Sequence, residues 1–420
     1  MKLTLFIFTV LCSLSVTPAR ADQPLGSDLA GLLDYAREHN PELAATRYEA
    51  EAAQQRTVSV GALPDPVLRT EWFDITKQGT TGPNLLPGQS GGGTRYLLMQ
   101  SVPWFGKRDL QREVAYAQVA QASGQVAASW TELASRVKQT YAMHYYATAS
   151  ENLTQQTLVL LDSLETIAET RYANGLGTQQ DVIRVQVEKT MLRGELIALQ
   201  NEGHHTHARL NALLARPVNA PLADPLQLRA MPSAAKLDEA TLLERLRAQN
   251  PSVRIAEANI QSSAKNRDLA YVNRYPGFIF GVAPTQSGSA VKSWDLMVEL
   301  NIPLQQSARR SQEHEADAML SASHARLEAL LDQTRSELSE DLSALDSARR
   351  TEALVATRLL PQADLTYQSA LAGYENGKVE FAMLVEAQKQ ILKARQQQLQ
   401  AQTDMQLRLA DIEKLLGEEL

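Results

Sequence analysis

The sequence has almost no cysteine and, beyond its first residues, no long apolar run. Cys12 is the only cysteine among 420 residues. An internal disulfide needs two cysteines, so it is excluded, and so is a cysteine-rich metal site. After the N-terminus no segment approaches the roughly 18 apolar residues that a membrane-spanning helix needs. If this chain crosses a bilayer, it must do so with β-strands closed into a barrel.

Catalytic motifs and a basic surface are also missing. The chain has no Gly-rich phosphate loop, no nucleophile elbow and no metal-hydrolase histidine spacing. Its formal net charge is −7, whereas proteins that bind nucleic acid neutralise phosphates with basic residues. The sequence therefore predicts neither an enzyme nor a nucleic-acid-binding protein, and it predicts no cofactor.

Residues 1–21 have the pattern of a secretory signal peptide. Lys2 is followed by an apolar stretch to Val16 and by Ala19-Arg20-Ala21, a small-x-small cleavage site. This pattern favours a signal over a buried N-terminal helix. Cleavage would remove two positive charges and change the net charge from −7 to −9. Lipidation of Cys12 stays open, although Leu11 before it is larger than the small residue that such sites prefer.

Self-similarity divides the remaining chain into two repeats, residues 28–215 and 238–417. Four landmarks of the first repeat recur in the same order 200 to 210 positions later. They are Leu32-Leu33 to Asn40-Pro41 (Leu242-Leu243 to Asn250-Pro251), Pro66 (Pro276), Val102-Pro103 (Ile302-Pro303) and Tyr172 to Gly175 (Tyr374 to Gly377). Residues 216–237 between the repeats contain four prolines, which forbid a continuous helix. We interpret this segment as an equatorial connector and the chain as a tandem duplication.

Each repeat is predicted to open with one helix, over 28–61 and 238–273, followed by two strands. Trp294 to Ile302 alternates apolar and polar residues without a fault, as a strand with one apolar face does. The predicted strands are 67–76 and 94–102 in the first repeat, and 278–283 and 294–302 in the second. A long Gly- and Pro-rich loop, 77–93, joins the first pair, and a shorter one, 285–293, joins the second.

A helical hairpin follows the strands in each repeat. Apolar residues recur every three to four positions over about 107–173 and 308–373, and some 65 helical residues extend about 100 Å. Reversals are predicted at tips near 174–177 and 374–378, and heptad patterns in the return helices indicate coiled-coil packing. Thr178 and Asp181 form a predicted capping box. Pro361 is predicted to kink the second long helix.

This combination resembles the TolC-type outer-membrane efflux channels over nearly the whole mature chain. Gly61-Ala-Leu-Pro64-Asp-Pro66 and Val102-Pro103-Trp104-Phe105-Gly106-Lys107-Arg108 resemble its heavy-metal branch, the CusC- and CzcC-like proteins. The resemblance implies an α+β membrane protein in the outer membrane. Three protomers would each give four strands to one 12-stranded β-barrel, continued by a long α-helical coiled-coil barrel that forms a periplasmic tunnel.

The resemblance also implies a function and partners. The protein would be a passive exit duct for heavy-metal cations, working with a periplasmic adaptor (a membrane fusion protein) and an inner-membrane RND pump. Drug efflux and type I secretion are alternatives within the channel class. A soluble periplasmic coiled-coil adaptor or scaffold is the alternative from another class, but it has no need for four strands with apolar faces.

Three groups of site residues follow from the resemblance. The adaptor-docking tip would comprise Arg171, Tyr172, Asn174, Gly175, Gly177, Tyr374, Asn376, Gly377 and Lys378. A pore gate would comprise Glu386 with Asp181 and Arg184, although Met383 stands where some family members have a second acidic residue. The hinge between barrel and tunnel would comprise Pro103, Trp104, Phe105, Gly106 and Pro303, with the aromatics in the girdle at the bilayer interface.

A histidine cluster lies on the first return helix. His204 and His207 are spaced to share one helix face, with His205 beside them. Two ligands fall short of the four that a structural zinc site uses. We therefore interpret the cluster as a solvated helix face and predict no metal site, while metal binding remains the alternative.

Overall fold

The computed structural model describes residues 25–73, 93–287 and 290–420. The predicted signal peptide with Cys12, and the loop from 77 to 92, lie outside the described residues.

The order of elements in the first half recurs in the second. The first half contains α1 (Leu29–His39), α2 (Pro41–Val60), β1 (Val67–Phe73), β2 (Gly93–Val102), α3 (Lys107–Ala173) and α4 (Gln179–Leu213). The second contains a 3-10 turn (Ala234–Leu237), α5 (Glu239–Gln249), α6 (Pro251–Val272), β3 (Gly277–Ser287), β4 (Ala290–Asn301), α7 (Gln306–Leu354), a π-helical turn (Val355–Leu359), α8 (Leu360–Glu375) and α9 (Phe381–Leu416).

The expectation of a single opening helix in each half is wrong. Asn40 has extended backbone angles, and its Oδ1 accepts hydrogen bonds from the amides of Glu42 and Leu43 at 2.9 and 3.1 Å. Pro41 then occupies the first turn of α2. The residue before a proline avoids the α conformation, and Asn is a strong N-cap, so Asn-Pro ends one helix and begins another. Asn250 and Pro251 repeat the break in the second half.

Both cap asparagines also bind a distant helix. The Asn40 Nδ2 donates to the carbonyl of Leu213 at 2.9 Å, at the end of α4. The Asn250 Nδ2 donates to the carbonyl of Leu415 at 2.7 Å, near the end of α9. Each asparagine thus joins the break between two opening helices to the end of the return helix in the same half.

The four strands form one antiparallel sheet in the order β1-β2-β3-β4. β3 and β4 extend further than 278–283 and 294–302, so most of the loop expected at 285–293 is strand. Pro284 has no amide to donate, and the β2–β3 ladder skips the positions opposite Ala283 and Pro284. The ladder resumes at Thr285, which is why β3 reads in the sequence as a strand that stops early.

The long helix of the first half is unbroken, whereas its counterpart contains the π turn. α3 has 67 residues and extends about 100 Å. Pro361, the second residue of α8, cannot donate to a carbonyl one turn earlier. A π turn places one additional residue in the helix, which removes the need for that bond. The predicted interruption at Pro361 therefore takes the form of a wider turn just before it.

The helices pack side by side in a row rather than around a central core. Nearer the sheet the neighbours are α2, α3, α6 and α7, and nearer the tips they are α4, α3, α9 and α8. α1 packs on α3, and α5 packs on α7 and α9. Within the described residues, no helix is both long enough and apolar enough to cross a bilayer.

Candidate functional site

The two hairpin tips have the same backbone geometry. Gly175 and Gly377 have φ angles of +72° and +68°, a region where glycine carries no side-chain penalty. At the first tip the Leu176 amide donates to the Arg171 carbonyl at 2.8 Å, and at the second the Lys378 amide donates to the Gly373 carbonyl at 2.8 Å. These bonds close the helix ends and reverse the chain.

Arg171 joins the first tip to the second. Its guanidinium lies over the ring of Tyr374, 4.7 Å from the centroid, and its Nη1 donates to the Tyr374 carbonyl at 3.4 Å. Tyr374 is buried and packs against Phe381 with ring centroids 5.0 Å apart. Burial raises the pKa of the Tyr374 hydroxyl, while the charge of Arg171 lowers it and that of Asp181 raises it. The remaining predicted tip residues lie around this contact, and most are exposed.

The predicted gate residues lie near the starts of the two return helices, α4 and α9. Asp181 and Thr178 form the predicted capping box, which is confirmed: the Asp181 carboxylate accepts from the Thr178 amide at 3.1 Å. Arg184 and Glu386 are both exposed. In the described part of the chain, no ion pair joins Glu386 to Asp181 or Arg184. The gate, which the resemblance implies for a trimer, stays a prediction.

The first hinge is held by stacked aromatics. Gly106 precedes α3 with a φ of +77°. Trp104 stacks on Tyr275 at 4.9 Å and on Phe278 at 5.8 Å between ring centroids, while Phe105 is exposed. Trp104 of the first half therefore packs on residues of the second half. Of the two hinge aromatics, Phe105 is the one with a largely exposed side chain. Pro303, at the second hinge, is partly buried.

Arginines at the start of each long helix cap the end of a neighbouring helix. Arg108 donates from Nε and Nη2 to the Gly61 carbonyl, at 3.0 and 2.8 Å, and Arg112 donates to the same oxygen at 3.2 Å. In the second half Arg309 donates to the Asn273 carbonyl. Cations stabilise the negative end of a helix dipole. These contacts tie α2 to α3 and α6 to α7 where the sheet meets the helices.

The sheet has one apolar face and one face with charges. Residues Leu68, Leu98, Val282 and Leu296 pair in one continuous row across the four strands. Leu296 is 86% exposed, Leu68 65% and Leu98 48%. On the opposite face Arg95 lies 3.8 Å from Glu71 and 3.5 Å from Asp295. An exposed apolar face of this extent indicates contact with lipid or with another protein surface.

The structure separates the three clustered histidines. His204 and His205 are exposed, as expected of a solvated face. His207 is half-buried and its ring lies 6.2 Å, centroid to centroid, from that of His144 on α3. No group of three or more His, Cys, Asp or Glu residues among the described residues is arranged to hold a metal ion. No sequence pattern selects His144, because it is the one histidine in α3 and His207 is some sixty residues further along the chain.

Comparison with known proteins identifies the second half of the chain. Residues 242–418 match the family model described as outer membrane efflux protein. This segment is similar to the outer membrane efflux protein family. The match includes α5 to α9 with β3 and β4, so the family's sequence signal covers the second strand pair and the second hairpin. No curated protein matches the chain significantly.

The fold of nearly the whole chain is shared with solved outer-membrane channels. The outer-membrane channel OprN has a TM-score of 0.80 and 19% identity, with 93% of this chain and 89% of that chain covered. CusC has a TM-score of 0.79 and 18% identity, covering 93% and 92%. The outer membrane protein VceC from Vibrio cholerae has a TM-score of 0.78 and 16% identity, covering 93% and 96%. At these identities the likeness establishes the fold.

The predicted resemblance to TolC-type outer-membrane efflux channels is confirmed by both comparisons. The family model matches residues 242–418, and the fold is that of solved outer-membrane channels.

Proposed function

We propose that the protein is the outer-membrane exit duct of a tripartite efflux system and works as a trimer. The observation that carries the proposal is the open four-stranded sheet, whose two edge strands have no partner in the described chain. Unpaired strand edges are not tolerated in hydrocarbon, and a barrel removes them. Three copies would give twelve strands, with β4 of one protomer beside β1 of the next. This contact would be antiparallel, like the three within the chain.

The two faces of the sheet support the same arrangement. The row from Leu68 to Leu296 would face lipid, and the ion pairs of Arg95 would face the lumen, as in other membrane barrels. The helix row is open at the same two edges as the sheet, with α2 and α4 at one edge and α7 and α8 at the other. Closing the sheet into a barrel would therefore close the helices into a tunnel on the periplasmic side.

We place the two halves, 28–215 and 238–417, as tandem repeats around the connector 216–237. The recurring order of elements and the paired asparagine breaks support this division. Each repeat would supply two barrel strands and one hairpin of the tunnel, so a trimer would have pseudo-sixfold order.

The tips are the proposed docking site for a periplasmic adaptor, which would link the duct to an RND pump. The Arg171 contact with Tyr374 holds the two tips of one protomer together. Glu386 is exposed near them, and three copies around a pore would favour cations over anions. Replacing Glu386 with alanine should lower cation selectivity in planar bilayers, with Glu380→Ala on the same tip as a matched control. Equal selectivity in all three proteins would remove the gate from the proposal.

Heavy-metal cations are the proposed cargo. The hinge and pre-strand motifs of the CusC- and CzcC-like branch support this, and the fold is shared with CusC. Drug efflux remains the second candidate, because OprN and VceC have the same fold at similar identity. Growth of a deletion strain across zinc, cobalt, cadmium, nickel, copper and silver, and across a drug panel, distinguishes the two. Sensitivity to drugs with unchanged metal tolerance would replace the metal cargo.

A soluble periplasmic adaptor is the rival from another class. Membrane fractionation decides between the classes, since the duct must be recovered in the outer membrane. Recovery of the mature protein in the soluble periplasm would exclude the channel.

A further inference from the structure

One hydrogen bond occurs in both halves and fixes how their helices correspond. The Gln200 Nε2 of α4 donates to the Glu151 Oε1 of α3 at 3.1 Å, and the Gln402 Nε2 of α9 donates to the Glu352 Oε1 of α7 at 3.2 Å. Residues of α9 therefore follow their counterparts in α4 by 202 positions, and residues of α7 follow their counterparts in α3 by 201. Beyond the π turn the second shift also becomes 202, as at the two tip glycines, because the turn adds one residue.

Within one chain, α9 covers one face of α3. The Gln139 Nε2 of α3 donates to the Asp411 Oδ1 of α9 at 2.6 Å, and Leu399 of α9 packs against the apolar cluster that contains Leu153. Helical spacing places every third or fourth residue on the same face as Gln139. The buried members of this stripe are Ser135, Ala142, Ser150, Leu153 and Thr157.

The counterparts of this stripe in the second half are exposed. They are Ser336, Ser343, Thr351, Leu354 and Arg358, on α7 and the π turn. Leu153 is 9% exposed, whereas Leu354 is 58% exposed. Both stripes have the same position in their halves. They differ in their cover, because α9 lies beside α3 while α7 forms an edge of the helix row.

The free face of α4, at the opposite edge of the row, is the matching surface. Val385 and Leu399 of α9 take part in the apolar cluster that α9 shares with α3. Their counterparts on α4 are Ile183 and Ile197, which are 50% and 68% exposed. The surface that α9 buries against α3 is thus present on α4 without a cover.

We propose that α4 of one copy docks along α7 of the next, in the register in which α9 packs on α3 within the chain. This register places Ile197 against Leu354, as Leu399 lies with Leu153. It also places Arg209 opposite Glu340, the counterparts of Asp411 and Gln139. Arg209 and Glu340 are exposed, and neither forms an ion pair with another residue that the structure describes. Their opposite charges favour this register.

The same register buries no unpaired charge. Lys138 and Glu413, the buried ion pair between α3 and α9, correspond to Ser339 and Asn211, which carry no charge. The contact between copies therefore depends on an apolar stripe and one surface pair. The inference rests on the proposed trimer and specifies the helices, the register and the residue pairs that join its copies.

Disulfide formation in outer membranes tests the register. Ile197→Cys is combined with Leu354→Cys, and oxidation should yield a covalent trimer. A bond between α4 and α7 must join two copies, because these helices lie at opposite edges of the row. The matched control combines Ile197→Cys with Leu365→Cys, which is also exposed but lies eleven residues, about 16 Å, nearer the tip. This pair should stay unlinked.

Charge reversal tests the polar pair without a disulfide. Arg209→Glu or Glu340→Arg alone should lower the temperature at which the trimer dissociates in detergent. The two together should restore at least about half of the loss, because they reverse the pair rather than remove it. Arg193→Glu is the matched control, since Arg193 and its counterpart Arg395 are both exposed and lie off the covered face. It should dissociate like the wild type.

The outcomes separate this contact from the trimer itself. A trimer by native mass in which Ile197→Cys and Leu354→Cys stay unlinked would overturn the register and leave the trimer standing. So would a double reversal that dissociates as readily as the single variants. Protein that is monomeric by native mass would remove the proposed trimer and this contact together.

Discussion

Replacing Lys138 with methionine should destabilise the fold near the middle of α3, where this helix meets the connector and the C-terminus. The Lys138 Nζ lies 2.9 Å from the Glu413 Oε2 and 2.8 Å from the Glu419 Oε1. Lys138 and Glu413 are 6% and 4% exposed. Glu413 also accepts from Arg229 of the connector, at 2.8 and 2.9 Å, and from the Leu420 amide. One buried carboxylate therefore joins α3, the connector and the C-terminus.

The expected loss of stability depends on the partners that Glu413 keeps after Lys138 is replaced. Removing one partner of a buried ion pair costs about 3–5 kcal/mol, because the other charge stays buried. Glu413 keeps Arg229 and the Leu420 amide, so we expect the lower end, about 3 kcal/mol. In a chain of this size each kcal/mol shifts the unfolding temperature by about 1–2 °C. Thermal unfolding in detergent, followed by helical circular dichroism, should show a fall of roughly 5 °C.

A surface pair on the same helices is the matched control. Lys414 lies 2.9 Å from Glu132, and their side chains are 43% and 38% exposed. Exposed pairs contribute about 0–1 kcal/mol, so Lys414→Met should lower the unfolding temperature by less than about 2 °C. If Lys138→Met lowers the unfolding temperature as little as Lys414→Met does, the buried network does not stabilise the contact between α3, the connector and the C-terminus.

Three further predictions concern the Asn40 helix cap, the π turn before Pro361 and the buried carboxylate of Asp411. Asn40→Ala should cost about 2 kcal/mol, since it removes an N-cap and a bond to Leu213; an unchanged unfolding temperature would contradict this. Deleting Ala356 from the π turn should cost about 3 kcal/mol by forcing Pro361 into a regular helix, and the cost should vanish when Pro361→Ala is added. Burial raises the pKa of Asp411, so its ionisation opposes folding as the pH rises through the raised value. Asp411→Asn should therefore gain stability over the wild type at pH 7 and gain little at pH 3.5, and a gain independent of pH would refute that assignment.

The sequence predicted the elements whose patterns are local. The alternation from Trp294 to Ile302 identified a strand, and Gly175 and Gly377 identified the tips because they allow the left-handed conformation found there. Thr178 and Asp181 identified a helix start from their spacing alone. In each case the residues that decide the structure are neighbours in the chain.

The features that the sequence does not predict depend mostly on contacts between residues that are distant in the chain. One helix is predicted over 28–61, although the dipeptide Asn40-Pro41 itself carries the break between α1 and α2. The contact of Arg171 with Tyr374 joins residues about two hundred positions apart. The pairing of His144 with His207 depends on the relative rotation of two helices. The periodicity of residues within one helix does not show how that helix is rotated relative to its neighbour.

Long-range contacts explain the hinge between β2 and α3. Arg108 and Arg112 cap Gly61, and Trp104 stacks on Tyr275. The motif therefore binds the end of α2 and the second half of the sheet, rather than serving only as a turn. Substitution of Arg108 would loosen α2 from α3 near the sheet.

The central claim is that β1 of one copy pairs with β4 of another in a closed trimer. The only native cysteine is Cys12 in the predicted signal peptide. Any disulfide formed by the mature protein therefore comes from the introduced cysteines. Leu68→Cys is combined in turn with Leu296→Cys, Val298→Cys and Leu300→Cys, and outer membranes are oxidised. If the barrel closes after three copies, at least one pair should yield a covalent trimer, three times the protomer mass, with no larger species. Protein that stays monomeric for every pair, or a ladder that continues beyond three, would contradict it.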